Sequence, residues 1–186
     1  METTGVKFGT SGARGLATEM TDFVCYAYTR GFLQYLTSIG DLPRTGSSVA
    51  VAGDFRPSTD RIMAAVRRAI ADLGHTPIHC GEVPSPAVAL LGLNRRIPAI
   101  MVTGSHIPDD RNGIKFNMSS GEILKDDEVG ITSQIVEIDD ALFDAAGASA
   151  RLESTPAPVT NEARDAYVAR YLDAFPQQPF LRVRLA

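Results

Sequence analysis

The chain has 186 residues, 44% hydrophobic and 22% charged, within the range of ordinary soluble domains. This composition excludes a mainly disordered chain, a collagen-like repeat and a small disulfide scaffold, and the length suits one domain or one domain plus part of another. The 18 Lys and Arg against 22 Asp and Glu give a net charge of −4, which argues against nucleic acid as a partner because no basic surplus exists to neutralise phosphates. No apolar run approaches the length of a membrane span, and METTGVKFGT at the start has neither the basic stretch nor the apolar core of a signal peptide. Cys25 and Cys80 belong to no CxxC pair, so the expectation is a cytoplasmic protein with two reduced, packed thiols.

In chain order, a short extended start at Lys7-Phe8 leads into a glycine-rich turn over residues 9–15. A helix is predicted over 21–38, with Val24, Tyr28, Phe32, Tyr35 and Ile39 recurring at helical steps and Thr21 as N-cap. Residues 48–53 (SVAVAG) read as a buried strand. Ser58 is placed to cap the next helix, where Ile62, Val66, Ile70 and Leu73 form a stripe that Gly74 stops. A short strand follows at 77–80, and Ser85-Pro86 supplies a cap and an N1 proline for a third helix through Leu93. Residues 98–103 are the most apolar strand candidate, and 113–117 (GIKFN) form another extended segment. A fourth helix is predicted from Asp126, with Ile131, Ile135, Ile138 and Leu142 on one face.

Strands alternating with helices imply an α/β fold: a mixed, largely parallel sheet covered by helices on both faces. Residues 1–145 form this first domain. The stretch 146–160, rich in small residues and proline, reads as a linker. Residues 161–186 read as the start of a truncated second domain, with a helix over 161–175 and a strand at 180–185.

Three segments carry candidate chemistry. Thr103-Gly104-Ser105-His106-Ile107-Pro108 follows the best strand, where ligands collect in open α/β sheets, although position alone favours a plain polar turn. A serine-hydrolase elbow fits poorly, since Thr103 and Ile107 stand where that motif needs glycines. Lys115 lies between Ile114 and Phe116 on an extended segment and therefore faces away from them, free to meet a phosphate, shuttle a proton or simply point into solvent. The Gly9–Gly15 segment offers Thr10, Ser11 and Arg14 among three glycines, a weak anion-binding pattern that is neither a Walker loop nor GxGxxG. Asp54 and Arg56 either orient the serine loop or form a local ion pair supporting their own turn. His75 and His79 make no zinc pair because Pro77 breaks any helix between them. The clustered acids at 109–110, 126–128 and 139–140 lack the alternation of a compact magnesium loop.

Taken together, FGTSGARG at 8–15, AGDFRPST at 52–59 and TGSHIPDDRNGIKF at 103–116 resemble the first domain of the α-D-phosphohexomutase superfamily, in particular its bacterial phosphomannomutase/phosphoglucomutase group. The resemblance covers roughly residues 6–145. The third motif is the specific one: the family's usual Thr-Ala-Ser-His-Asn-Pro appears here with Gly104 for the alanine and Ile107 for the asparagine. The resemblance implies a hexose phosphate mutase that interconverts 6- and 1-phosphates, of mannose or glucose, through a phosphoserine at Ser105 and a bisphosphorylated sugar. It further implies Mg2+ held by the Ser105 phosphate and by carboxylates outside this chain. His106 would hold the loop or ligand. Arg14 and Lys115 would bind phosphate or sugar oxygens, with Lys115 as proton shuttle, and Thr10 and Ser11 would line the pocket. The family has four domains, so the partners implied are a hexose phosphate substrate and the missing domains of the same polypeptide. A fragment of this kind is expected to be inactive alone. The alternative is a non-catalytic sugar-phosphate-binding module.

Overall fold

A computed structural model describes residues 5–9, 11–149 and 158–176. Thr10 and the strand expected at 180–185 lie outside the described residues. The elements run β1 (Lys7–Phe8), β2 (Gly12–Leu16), α1 (Asp22–Ser38), β3 (Ser48–Gly53), α2 (Thr59–Asp72), β4 (Thr76–Glu82), α3 (Ser85–Arg95), β5 (Ala99–Val102), β6 (Arg111–Met118), β7 (Gly121–Glu122), α4 (Lys125–Thr132) and α5 (Glu162–Ala174).

One mixed sheet carries the fold, in the order β1-β2-β6-β5-β3-β4, with β7 returning along β6. Strand β3 pairs in parallel with both β4 and β5, while β6 pairs antiparallel with β5, β2 and β7. Successive residues of a strand point to opposite faces, and here each face meets its own helices. Val49, Val51, Ile100, Val102, Ile114 and Phe116 pack with α1 and α2. Ala50, Ala52, Ala99 and Met101 pack with α3 and with Ala163 of α5. The first layer is centred on Phe32 and Phe116, both fully buried, with ring centroids 4.5 Å apart. Helix α5 is also held to α3 by an ion pair between Arg95 and Glu162 at 2.6 Å. Cys25 and Cys80 are both free and buried. Burial pushes both thiols up, Cys80 to about 11, so neither is primed as a nucleophile.

Several local expectations change. The glycine-rich segment is a strand from Gly12 onward rather than a turn. Its glycine is needed for close approach, because a Cβ at Gly12 would lie 1.8 Å from the Ile114 carbonyl oxygen on β6. Thr21 caps α1 as expected, accepting from the Val24 amide at 3.3 Å. Ser58 precedes α2 without capping it, and its hydroxyl instead accepts from Asn112 at 2.8 Å. Ser85 is the first residue of α3, whose cap is Pro84.

Helix α4 is the largest departure, ending at Thr132 instead of running to Leu142. Thr132, Ser133 and Gln134 turn their side chains back onto the carbonyls of Glu128 and Gly130, satisfying the helix end. Ile131 is buried, but Ile135 is 87% exposed. The next apolar position of the spacing after Ile131 therefore meets no surface, and periodicity without a partner does not extend a helix. The Asp144–Ser149 stretch folds against the start of α1: Phe23 donates its amide to Gly147, and Ser149 donates its amide to Asp22. Among the described residues no helix is long and apolar enough to cross a membrane.

Candidate active site

Strand β5 ends at Val102, and the chain then makes a loop before returning as β6. Ser105 stands in that loop with φ of +53°, in the left-handed region that non-glycine residues rarely occupy. Such a conformation costs roughly 1–3 kcal/mol and persists only where the surroundings over-determine it. Two side chains from the β3–α2 turn provide that constraint.

Asp54 reaches under the loop. One carboxylate oxygen accepts from the Thr103 hydroxyl at 2.9 Å and the Gly104 amide at 3.0 Å. Its other oxygen accepts from the Thr59 hydroxyl at 2.6 Å and the Arg56 amide at 3.1 Å. The Thr103 hydroxyl oxygen in turn accepts from the Ser105 amide at 2.8 Å. Burial works to raise the Asp54 carboxyl, but the four hydrogen bonds outweigh it and hold the group below its ordinary value.

Arg56 grips the loop from the other side. Its guanidinium donates to the carbonyls of Pro108 at 2.7 Å, Arg111 at 3.1 Å, Ile107 at 2.6 Å and Ser105 at 3.4 Å. It also pairs with Asp54 at 3.4 Å and with the exposed Asp109 at 3.5 Å. A Cβ at Gly104 would lie 2.2 Å from the guanidinium carbon, so the glycine here leaves the space Arg56 fills. Asp54 and Arg56 thus form an ion pair with each other and, at the same time, bond directly to the serine loop.

The mouth of this loop is a cleft of about 210 Å3, lined by residues 9, 11–14, 103–107 and 113–115. Ser105, His106, Arg14, Ser11 and Lys115 all border it. The Ser105 hydroxyl lies 3.3 Å from His106 Nδ1, and both residues are exposed. Arg14 folds over Gly9, where its Nε would stand 3.1 Å from an added Cβ. Lys115 sits opposite Gly12 on β2 and Met101 on β5, facing away from the buried Ile114 and Phe116. Its ammonium pairs with Glu122 at 3.1 Å. An exposed hydroxyl, two cations and a serine backbone held in place can receive an anion and pass a group to or from oxygen.

Sequence reasoning missed Thr59, Asn112 and Glu122. Buried Asn112 donates to Ser58 and Thr59, tying β6 to the start of α2. Glu122 had a readable signal: Ser119-Ser120-Gly121 is a hairpin turn, and Glu122 pairs with Asn117, on the same strand face as Lys115. Among the described residues no group of three or more His, Cys, Asp or Glu could hold a metal ion. These residues therefore do not make a magnesium site by themselves.

The Asp54 contacts carry a pH signature. A depressed carboxyl contributes stability that is present above the unfolded value and lost as pH falls through the folded one. The loop bonds are therefore expected to hold at the ordinary aspartate value of 3.8 and to release only below it. The Gly104 amide resonance, followed by NMR in an acid titration, checks this. A transition at or above 3.8 would contradict the hydrogen-bond balance.

The mixed α/β domain thus presents a constrained serine at a strand end, in one cleft with Arg14 and Lys115. Residues 5–142 match the family model for phosphoglucomutase/phosphomannomutase, alpha/beta/alpha domain I. The chain belongs to that family. It is 41% identical over 174 residues to a phosphomannomutase of Sinorhizobium fredii, covering 93% of this chain and 35% of the relative. A phosphomannomutase of Salmonella muenchen is 39% identical over 178 residues, covering 96% and 34%. A solved structure from Thermus thermophilus bearing a phosphomannomutase designation superposes with a TM-score of 0.70 at 25% identity, covering 91% of this chain and 36% of that one. The chain spans about a third of the length of the curated phosphomannomutases it matches.

Proposed function

We propose that this chain is the serine-loop domain of a hexose phosphate mutase that interconverts 6- and 1-phosphates of mannose or glucose. The observation that carries the reading is Ser105, held at φ +53° where β5 ends, in one cleft with Arg14 and Lys115. In the resting enzyme Ser105 carries a phosphoryl group. A free sugar hydroxyl attacks that phosphorus, the bond from phosphorus to the serine oxygen breaks, and a sugar bisphosphate forms. The proton leaving the sugar hydroxyl passes to solvent, and the departing serine oxygen takes one from the Lys115 ammonium, which regains it from solvent. After the bisphosphate turns over, the serine hydroxyl takes its other phosphoryl group, and the isomeric monophosphate departs.

Arg14 and Lys115 stabilise negative charge on the transferring group, His106 holds the loop or ligand, and Ser11 lines the pocket. Asp54 and Arg56 act through the loop rather than on substrate. Magnesium would take the Ser105 phosphate as its ligand from this chain, with carboxylates supplied from elsewhere in the polypeptide. Residues 1–145 form the serine domain, and the linker expected at 146–160 lies outside the described residues over 150–157. Residues from 161 open a second domain, whose helix α5 docks on α3 and leaves Val168, Leu172 and Phe175 exposed for further contacts. The agreement of the chain with only a third of its relatives' length supports partners in the rest of the polypeptide, without which turnover is not expected.

A coupled assay of the complete protein with glucose, mannose and glucosamine 1-phosphates tests the reading. Formation of a 6-phosphate from at least one of them is the expected result. Phosphate binding with no conversion of any of the three would favour a non-catalytic binding module instead.

A further inference from the structure

Glu122 is exposed, lies on a two-residue strand and belongs to none of the three sequence motifs, yet it meets a residue that borders the cleft. Its carboxylate pairs with Lys115 at 3.1 Å. The Ser11 hydroxyl and the Lys115 ammonium together hold the Glu122 carboxyl below the usual glutamate value. The hairpin carrying it is anchored on the far side by Asp41, which accepts from the Ser119 amide at 3.1 Å and the Ser119 hydroxyl at 2.5 Å. Gly121, with φ of +142°, makes the turn back possible. The Glu122 carboxylate thus ties the hairpin return to the middle of β6.

Stability does not account for this arrangement. The Lys115 and Glu122 side chains are 40% and 53% exposed, and exposed pairs contribute little to folding. What the pair does is restrict a four-carbon side chain that solvent would otherwise leave free, and keep its ammonium beside the cleft. We propose that Glu122 is a positioning residue: through its ion pair it fixes the Lys115 ammonium at the edge of the Ser105 cleft. The functional part rests on the mutase reading, in which Lys115 meets the transferring group. The geometric part does not.

Two measurements separate them. On the 186-residue chain, the Glu122 carboxyl is titrated by carbon NMR in the wild type, S11A and K115M, and Lys115 Nζ order is followed in the wild type and E122Q. Expected results are a Glu122 midpoint below 4.5 that rises in both variants, and a Lys115 side chain that loses order in E122Q. An unmoved midpoint in K115M, or an equally ordered Lys115 in E122Q, overturns the proposal.

In the complete protein, E122Q is expected to lower kcat by about 10- to 100-fold, as small misplacements of a reacting group do. KM should stay within about twofold and the thermal midpoint should not change, with E122D recovering part of the loss. Unchanged kcat in E122Q, where K115M is impaired, also overturns it. If the wild type converts no hexose phosphate, the mutase reading fails while the NMR arm still decides the placement of Lys115.

Discussion

Ser105→Ala is expected to lower mutase turnover of the complete protein by at least about 10³-fold, because it removes the oxygen that holds the phosphoryl between its two transfers. The change should leave the fold intact. The Ser105 side chain is exposed and among the described residues its hydroxyl meets only His106 Nδ1, at 3.3 Å, and surface substitutions of this kind fall within about 0.5 kcal/mol. Ser105→Gly then separates chemistry from backbone strain. Glycine accepts φ of +53° without the steric cost that an L side chain bears there, which is about 1–2 kcal/mol. The glycine variant should therefore be at least as stable as the wild type and as inactive as the alanine variant. Mass spectrometry of active wild-type protein should place one phosphate on the peptide containing Ser105, absent from both variants. Full activity in Ser105→Ala, or an unmodified serine in fully active enzyme, would remove the covalent mechanism. Strain that favours glycine while function demands serine is the pattern expected where a reactive hydroxyl is held ready for attack.

The parts of this molecule that were readable from sequence are those built on local repetition. Strands β3 and β5 announce themselves as continuous apolar runs, because both faces of the sheet are covered there. Helices α1 and α2 carry stripes that do land on the sheet. The failure at α4 has the same root: Ile135 continues a helical spacing, but whether a stripe meets a partner is a property of the tertiary fold. The glycines of β2 look like a turn in sequence because nothing local distinguishes a glycine needed for φ from one needed for contact with the Ile114 carbonyl.

At the site, order and spacing of three motifs pointed to the serine, the arginine and the lysine. The means of holding the serine were less visible. Arg56 is recognisable as a nearby charge, but its grip is on backbone carbonyls, which every sequence carries and no motif records. Glu122 escaped because its link to Lys115 crosses a hairpin rather than following a motif.

That grip leads to the second large effect. Arg56→Ala should cost about 10²-fold or more in kcat by loosening the loop on which Ser105 sits, since misplacing a reactive group by about an ångström is enough for losses of that size. The guanidinium is only 12% exposed and reaches the carbonyls of residues 105, 107, 108 and 111. Its removal leaves those oxygens to water and leaves Asp54 without its ionic partner. Arg56→Lys should rescue little. An ammonium is a single point with three donors and cannot serve four separate carbonyls from two nitrogens as the guanidinium fork does. Hydrogen exchange gives the independent reading: amides 104–107 should lose protection in both variants, while those of β3 and β5 keep theirs, because these strands pair with each other without help from Arg56. Gly104→Ala approaches the same defect from the opposite direction, as its added methyl would lie 2.2 Å from the guanidinium carbon and must push Arg56 aside. Its loss of protection should match the arginine variants in position and be smaller in extent, since the donors are displaced rather than deleted. Wild-type exchange over 104–107 in Arg56→Ala would mean that Asp54 and Thr103 alone hold the left-handed serine, and the role given to Arg56 would have to be withdrawn.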